Sequence, residues 1–370
     1  MSDNFEDQMD SLMERASGLA HGPSEIALLE EAVRLSDSHQ RDDYGFDLRK
    51  RLMQAATFGG APEKALVAFT WCIAQCDREP EEFDSGELLW EYKWVVSGLK
   101  QFPQISLSQI ESAMDDMTRR YEENGLSSKP IYKLRALHAM HRGDLEDCRK
   151  WQRQWRKTDS GYGNDCDACE RHDQVEFMVF VGKDERAIEM ADPILNNRMR
   201  CAEIPHLTYA LLLLPYLHLG QFDEAFIAHQ QGYRIIADNR EFLSSIGDHL
   251  TYLTLTGNYH LALPMFANHL EWFLETTSLL RRFQFDKGVL FLLQEYAREN
   301  SKPINLSLPR NFPLFRQDDT YSAEELRAWF ENDAREIAKK FDTRNGTDYF
   351  HRQIEELPEL RQWATDYPIE

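Results

Sequence analysis

The sequence predicts an all-α protein, arranged as an α-solenoid of about seven helical hairpins with a capping helix after the last one. Glycines recur along the chain at intervals close to 38 residues. Between them, apolar residues follow the spacing of three or four that is typical of amphipathic helices. No convincing stretch alternates apolar and polar residues, so we expect a strand content near zero.

The glycine period defines the hairpins. The successive glycines are 38, 38, 45, 39, 38 and 37 residues apart. Glycine readily adopts the left-handed conformation that ends a helix, and a small residue early in the next helix lets the two backbones approach. Five of these glycines are followed five positions later by alanine. The glycines are Gly22, Gly60, Gly98, Gly143, Gly182, Gly220 and Gly257, and the alanines are Ala27, Ala65, Ala187, Ala225 and Ala262.

The segments on either side of Gly220 show the helical pattern clearly. The apolar run from Leu207 to Leu219 precedes the glycine, and the segment from Phe222 to Ala237 follows it. In the second segment the apolar side chains fall on one helical face. Each repeating unit is therefore predicted to be two helices joined by a tight turn.

These residues resemble the turn and second helix of tetratricopeptide repeats. The similarity is carried by Gly60, Ala65 and Phe69, and it recurs at Gly257, Ala262 and Phe266, over roughly residues 10 to 300. Most units are 37 to 39 residues long, compared with about 34 in the typical repeat. The resemblance implies a right-handed superhelix whose concave surface, lined by the first helix of each pair, binds a peptide or a partner protein.

Turn-rich stretches divide the chain into three predicted regions. Residues 1–157 hold the N-terminal repeats, and residues 158–300 hold the C-terminal repeats after a turn-rich insertion. Residues 301–370 begin with a linker whose three prolines exclude a continuous helix. Within them Ser322 and Glu325 form a capping box ahead of an apolar helical pattern, which predicts the capping helix.

Composition excludes several classes of partner. The 370 residues include 42 Lys and Arg against 63 Asp and Glu, a formal charge of −21. Such an acidic chain is repelled by nucleic acid and by anionic lipid, so we expect neither as a partner. No apolar run approaches the roughly 18 residues of a membrane span, and the first residues lack the pattern of a signal peptide. We therefore expect an acidic cytoplasmic protein.

Three cysteines are the sharpest candidates for site chemistry. Cys166 and Cys169 are spaced as CxxC, and an antiparallel hairpin between them and Cys201 would bring the third thiol back beside the pair. Three thiolates and one histidine, either His172 or His206, would satisfy a tetrahedral structural zinc site. Unreactive thiols near a surface loop, or a redox pair, are the alternatives.

A second set of residues is a candidate for partner binding. Two tryptophans four residues apart lie in the one basic stretch of the chain, where they either face the core or meet an acidic partner. A polar group on a predicted first helix could face the superhelical groove and recognise a carboxylate or backbone of the partner. The alternative is that its histidine lies in the core or at a helix interface. These candidates are Trp151, Trp155, Asp248, His249 and Tyr252.

The sequence does not favour catalysis. The signatures GxSxG, HExxH, GxGxxG and the glycine-rich phosphate loop are all missing. We therefore expect a non-enzymatic scaffold or adaptor that binds a protein or peptide in its groove. The alternatives are a peptide-responsive regulator of a partner protein and a metal-dependent enzyme that uses the cysteine cluster. The sequence does not specify an oligomeric state.

Overall fold

A computed structural model describes residues 2–369 and is 73% helical, which confirms the all-α prediction. Two strands of two residues, β1 (Ile304–Asn305) and β2 (Thr320–Tyr321), pair antiparallel. Short 3-10 helices lie at Ser85–Leu88, Leu99–Gln101, Arg240–Phe242 and Leu357–Trp363. The α-helices are α1 (Ser2–Ser17), α2 (Pro23–Ser38), α3 (Asp42–Phe58), α4 (Pro62–Arg78), α5 (Leu89–Gly98), α6 (Leu107–Glu123), α7 (Lys129–His141), α8 (Leu145–Lys157), α9 (Asp167–Phe180), α10 (Asp184–Leu195), α11 (His206–His218), α12 (Phe222–Ile236), α13 (Leu243–Leu255), α14 (Tyr259–Glu275), α15 (Leu279–Glu299), α16 (Ala323–Asn345) and α17 (Tyr349–Glu355).

Glycine closes five of the seven predicted turns. The five glycines have φ between 67° and 80°, a region that L side chains rarely adopt. Gly98 is a correction, because it is the last residue of α5 with a helical φ of −69° and the chain turns only after Leu99–Gln101. Gly22 is extended, with φ of 163°, and precedes α2 as its N-cap. The closing glycines are Gly60, Gly143, Gly182, Gly220 and Gly257.

The small residue after each turn is buried in all but one of the five glycine–alanine pairs. Ala65, Ala187, Ala225 and Ala262 are at most 2% exposed, which allows the second helix of each pair to lie close to the first. Ala27 is exposed instead. The buried positions of α2 include Ile26, Leu29 and Ala32, so the helix turns Ala27 to solvent.

The chain divides into two compact units. Unit 1 consists of Met1–His138 and Glu146–Asn164, and unit 2 of Ala139–Leu145 and Asp165–Glu370. In unit 2 the first helices form a layer in which α11 packs against α9 and α13, and α13 packs against α15. Helices α10, α12 and α14 pack behind this layer as the second members of the pairs. Of the described helices, none is both long and apolar enough to cross a membrane.

Helices α13 and α15 cross at two glycines with direct backbone contact. A Cβ added to Gly288 would lie 2.3 Å from the carbonyl oxygen of Gly247, and a Cβ added to Gly247 would lie 2.5 Å from the carbonyl oxygen of Gln284. Nothing larger than hydrogen fits at either position. The crossing brings the neighbouring residues Asp248 and Lys287 within electrostatic range of each other. The side of the layer away from α10, α12 and α14 is called its front.

The predicted capping helix is α16, which begins after Ser322. The Ser322 hydroxyl accepts from the backbone N–H of Glu325, which is one of the two hydrogen bonds of a capping box. The Glu325 carboxylate forms an ion pair with Arg316. The helix ends at Gly346, whose left-handed φ of 67° provides the C-cap.

The glycine crossing predicts an inverted substitution effect at Gly288. In an open helix, Gly→Ala stabilises by about 1 kcal/mol through helix propensity. At Gly288 the methyl group would overlap the Gly247 carbonyl, so we expect Gly288→Ala to lower the free energy of unfolding by about 1–3 kcal/mol or more. Urea denaturation measures the change. Gly18→Ala, where no atom lies within 4 Å of the added Cβ, is the control, and an unchanged or raised stability of Gly288→Ala would contradict the crossing.

Candidate metal centre

The three predicted cysteines meet at the open end of the α9–α10 hairpin. Their Sγ atoms all lie within 4.8 Å of one another, although Cys201 is 32 residues after Cys169. Cys166 is the N-cap of α9 and Cys169 lies in its first turn. Cys201 lies in the irregular segment that follows α10. The group could hold a metal ion.

A small apolar cluster fixes the two sides of this group. Ala168, between the first two cysteines, is buried together with Ile194 from the end of α10 and Ile204, three residues after Cys201. The backbone N–H of Cys201 donates to the carbonyl oxygen of Ile204 at 3.0 Å. Packing of these apolar side chains therefore holds the three thiols together without a metal ion.

The thiols differ in how readily they ionise. Burial acts to raise the pKa of Cys166, but hydrogen bonds from the Cys169 backbone N–H and from the other two thiols outweigh it, so the pKa is lowered. Burial, followed by repulsion from Cys201 and Cys166, raises the pKa of Cys169. Burial also raises the pKa of Cys201. Cys166 therefore loses its proton more readily than the other two thiols, and a bound metal ion would displace the protons of all three.

The donor set fits a soft, tetrahedral metal ion. Zinc bonds of about 2.3 Å to sulfur place two thiolates about 3.8 Å apart, within the 4.8 Å limit of this group. Cys166 and Cys201 are exposed and Cys169 is half-buried, so an ion can reach all three sulfurs. The three cysteines supply three of the four positions.

The two histidines considered as fourth ligand lie outside the cysteine group. His172 is 7% exposed, and its Nδ1 lies 3.0 Å from the hydroxyl of Thr208 on α11. His206 stacks on Phe242 with ring centroids 5.2 Å apart. Burial lowers the pKa of His206, and the Glu203 backbone opposes this only in part. Of the four predicted ligands, the structure brings together the three cysteines.

The tryptophan pair lies in unit 1, and only one of the two tryptophans is placed where it could bind a partner. Trp155 is 1% exposed, so it belongs to the core and offers no surface to a partner. Trp151 is half-buried, stacks on Tyr132 with centroids 5.9 Å apart, and has the Lys150 Nζ 4.2 Å from its ring centroid. Only Trp151 of the pair reaches solvent.

The polar group on α13 separates into one exposed and two buried residues. His249 and Tyr252 are 0% exposed, which corrects their assignment to a partner-binding patch. They face α12, where the Nδ1 atoms of His249 and His229 are 2.9 Å apart and the ring centroids of His229 and Tyr252 are 4.9 Å apart. Asp248, in contrast, is exposed. The helical spacing could not decide which face of α13 meets α12.

Lys287 and Gln353 share the surroundings of Asp248, and no motif in the sequence marks either residue. The Nζ of Lys287 donates to the Oε1 of Gln353 at 2.7 Å. Desolvation, only partly offset by Asp248, lowers the pKa of Lys287 to about 8. In the sequence, the one signal for this region is Gly288. A glycine inside a helix indicates a close helix crossing, and this one is next to Lys287.

The buried histidines make stability depend on pH. Desolvation lowers the pKa of His229 from 6.5 to about 4. Desolvation, then His229 and His269, lower that of His249 well below its usual value. The unfolded chain therefore binds more protons below pH 6.5, and the free energy of unfolding falls as pH drops from 6.5 toward 4. For His229 alone the loss is on the order of 3 kcal/mol.

Urea denaturation of the wild type and of His229→Gln between pH 7 and pH 4 measures this contribution. The variant retains a polar side chain but has no imidazole to protonate, so its stability should depend less steeply on pH. Parallel pH profiles of the two proteins would contradict the assignment. Carboxylates titrate in both proteins and cancel in the comparison.

Comparisons with known proteins leave the family of this chain open. No model of a known protein family matches the sequence, and no curated protein is significantly similar to it. The likeness to tetratricopeptide repeats therefore rests on the quoted residues alone. The structure supports the broader description of a repeat-like, all-helical protein whose consecutive helices pack together.

Proposed function

We propose that this chain is a non-enzymatic interaction protein that binds a segment of a partner protein on the front of the α9–α11–α13–α15 layer in unit 2. The observation that supports the proposal is an exposed carboxylate in a desolvated position. Asp248 is exposed, yet desolvation by the surrounding protein raises its pKa to about 7. A carboxylate that is open to solvent and also partly desolvated by its neighbours is suited to bind a charged group of a partner.

We place a stripe of half-buried leucines on the neighbouring helix α11 in the same groove. Leu207, Leu211 and Leu214 are half-buried and lie at helical spacing on α11. Their neighbours on α11 are mostly buried against the adjoining helices. A concave surface with an apolar stripe and a small number of polar groups is suited to a peptide segment.

The charges on this face favour a partner that carries a cationic group. Asp248 has no hydrogen bond or ion pair within the described residues, whereas Lys287 is bonded to Gln353. The chain as a whole is strongly acidic. A peptide that places a Lys or Arg side chain over Asp248 and apolar side chains over α11 would complement both features.

Selection of peptides on the full chain tests this groove. Peptides enriched on the wild type from a random display library should bind Leu211→Glu and Asp248→Lys at least about 10-fold more weakly, the size of a single lost interface contact. Ile227→Glu is the matched control, because Ile227 is 48% exposed on α12, behind the layer. Equal affinity for all the variants, or a loss only with Ile227→Glu, would count against the groove.

We further propose that Cys166, Cys169 and Cys201 hold a structural zinc ion. The supporting observation is the convergence of three thiols, two from the start of α9 and one from the segment after α10. Zinc would join the start of α9 to the irregular segment after α10, which has only a small apolar cluster of its own. Binding free energy would then contribute to folding. The metal-dependent enzyme alternative has no comparable observation in its favour.

Zinc binding is testable by equilibrium dialysis and thermal unfolding. We expect one equivalent of zinc per chain and a higher melting temperature with zinc. Cys201→Ser should weaken zinc binding by about 100-fold or more, because it removes a primary ligand. Cys148→Ala, which removes a buried cysteine elsewhere, should retain one equivalent. A chain that retains no zinc, or an unchanged affinity in Cys201→Ser, would refute the site.

A further inference from the structure

An extended segment, residues 364–369, lies along the ends of two helical hairpins in unit 2. The backbone N–H of Thr365 donates to the carbonyl oxygen of Leu255 at 2.8 Å, and that of Tyr367 to the carbonyl of Thr256 at 3.4 Å. Both acceptors lie at the end of α13, where helix carbonyls have no partner inside the helix. The segment is thus held through its main chain.

Asn258, next to the closing glycine Gly257, binds the segment on both sides of Pro368. Its Nδ2 donates to the carbonyl oxygen of Tyr367 at 2.9 Å, and its Oδ1 accepts from the backbone N–H of Ile369 at 2.9 Å. The same Nδ2 lies 2.8 Å from the hydroxyl of Thr256, which fixes the amide. The Asn258 amide therefore bonds to two backbone groups of the segment, and with the segment in place Asn258 is 2% exposed.

Alternate residues of the segment face the protein. Residues 365, 367 and 369 are half-buried and make the main-chain contacts, while residues 364, 366 and 368 are exposed. This period of two is that of a β-strand. Recognition of an extended peptide through its backbone, with specificity from alternate side chains, is a recurring mode of peptide binding.

Two aromatic side chains give the site its selectivity. The Tyr367 hydroxyl donates to the Oδ1 of Asp223 at 2.7 Å, and the Tyr367 ring lies 6.1 Å from that of Phe226. Four residues earlier, the Trp363 ring lies 4.5 Å from His218 at the end of α11. The receptor therefore accepts a tyrosine at the centre of the peptide and a tryptophan before it.

The two sides of this contact differ in burial. None of residues 358–369 is buried, whereas Thr256 and Asn258 on the receptor side are at most 2% exposed. If the segment leaves, Asn258 keeps its bond to Thr256 and the carbonyls at the end of α13 face water. The occupant is therefore held by half-buried residues, including Ile369, which packs against the core of unit 2.

We propose that this edge is a binding site for an extended peptide with a central tyrosine, that residues 364–369 occupy it in cis, and that a peptide of the same pattern supplied in trans exchanges with them. The site lies at the closed ends of the hairpins and is independent of the proposed groove and of zinc. The ligand class is an extended segment with the spacing Trp-x-x-x-Tyr.

A labelled synthetic peptide of residues 361–369 tests the exchange against the full chain by fluorescence anisotropy. Thr365→Pro in the chain removes the N–H that bonds to Leu255 and leaves every receptor residue intact, so it should weaken the cis occupant. We expect this variant to bind the peptide at least about 10-fold more tightly than the wild type. Asp366→Ala, at an exposed position of the segment, should behave as the wild type.

Two further arms identify the receptor. A peptide with alanine in place of Tyr367 should bind Thr365→Pro at least about 10-fold more weakly. Adding Asn258→Asp to that variant, which removes the donor to the Tyr367 carbonyl, should abolish binding, with circular dichroism as the check on folding. The comparison of the two peptides remains informative even if the double variant does not fold. No binding to Thr365→Pro, or equal binding of the two peptides, would overturn the proposal.

Discussion

The antiparallel helical hairpin, closed by a glycine in the left-handed conformation, is the constraint on which the other features of unit 2 depend. At Gly182, Gly220 and Gly257, φ near 70° reverses the chain in very few residues. The start of each first helix then lies beside the end of its partner. The cysteine group forms at one such open end, and the site of residues 364–369 forms at the closed ends.

The layer of first helices depends on the same reversal. Because each hairpin returns the chain to the same end, α9, α11, α13 and α15 lie side by side with α10, α12 and α14 behind them. The glycine crossing of Gly247 and Gly288 sets the closest approach. Burial, followed by repulsion from the nearby Asp333, raises the pKa of Asp286 well above its usual value. Asp333 itself accepts two hydrogen bonds from Arg282.

Local sequence predicted what depends on local geometry. The closing glycines, the helical class and the convergence of Cys201 with the CxxC pair follow from turn conformation and helix length. The sequence could not fix which side of a helix is covered. His249 and Tyr252 share α13 with Asp248, and only the position of α12 decides that the first two are buried and the third is exposed. The same reason accounts for Ala27, which is exposed, and for Trp155, which is buried, as one of its two predicted alternatives had it.

The site of residues 364–369 could not be predicted from the sequence, for a different reason. Asn258 and Tyr367 are 109 residues apart, and no periodicity connects an irregular segment to the end of a helix. Recognition through main-chain atoms leaves little trace in side-chain type. The three thiols were found because cysteine is scarce and chemically distinctive, whereas a single asparagine beside a glycine is typical of an ordinary turn.

X-ray absorption at the zinc edge, on the full chain loaded with one equivalent of zinc, tests most directly whether the hairpin assembles the site. The hairpin arrangement predicts three sulfur ligands at about 2.3 Å and one lighter nitrogen or oxygen ligand at about 2.0 Å. A first shell of oxygen alone, or one with two or fewer sulfurs, would show that Cys201 does not join Cys166 and Cys169, and would contradict the account.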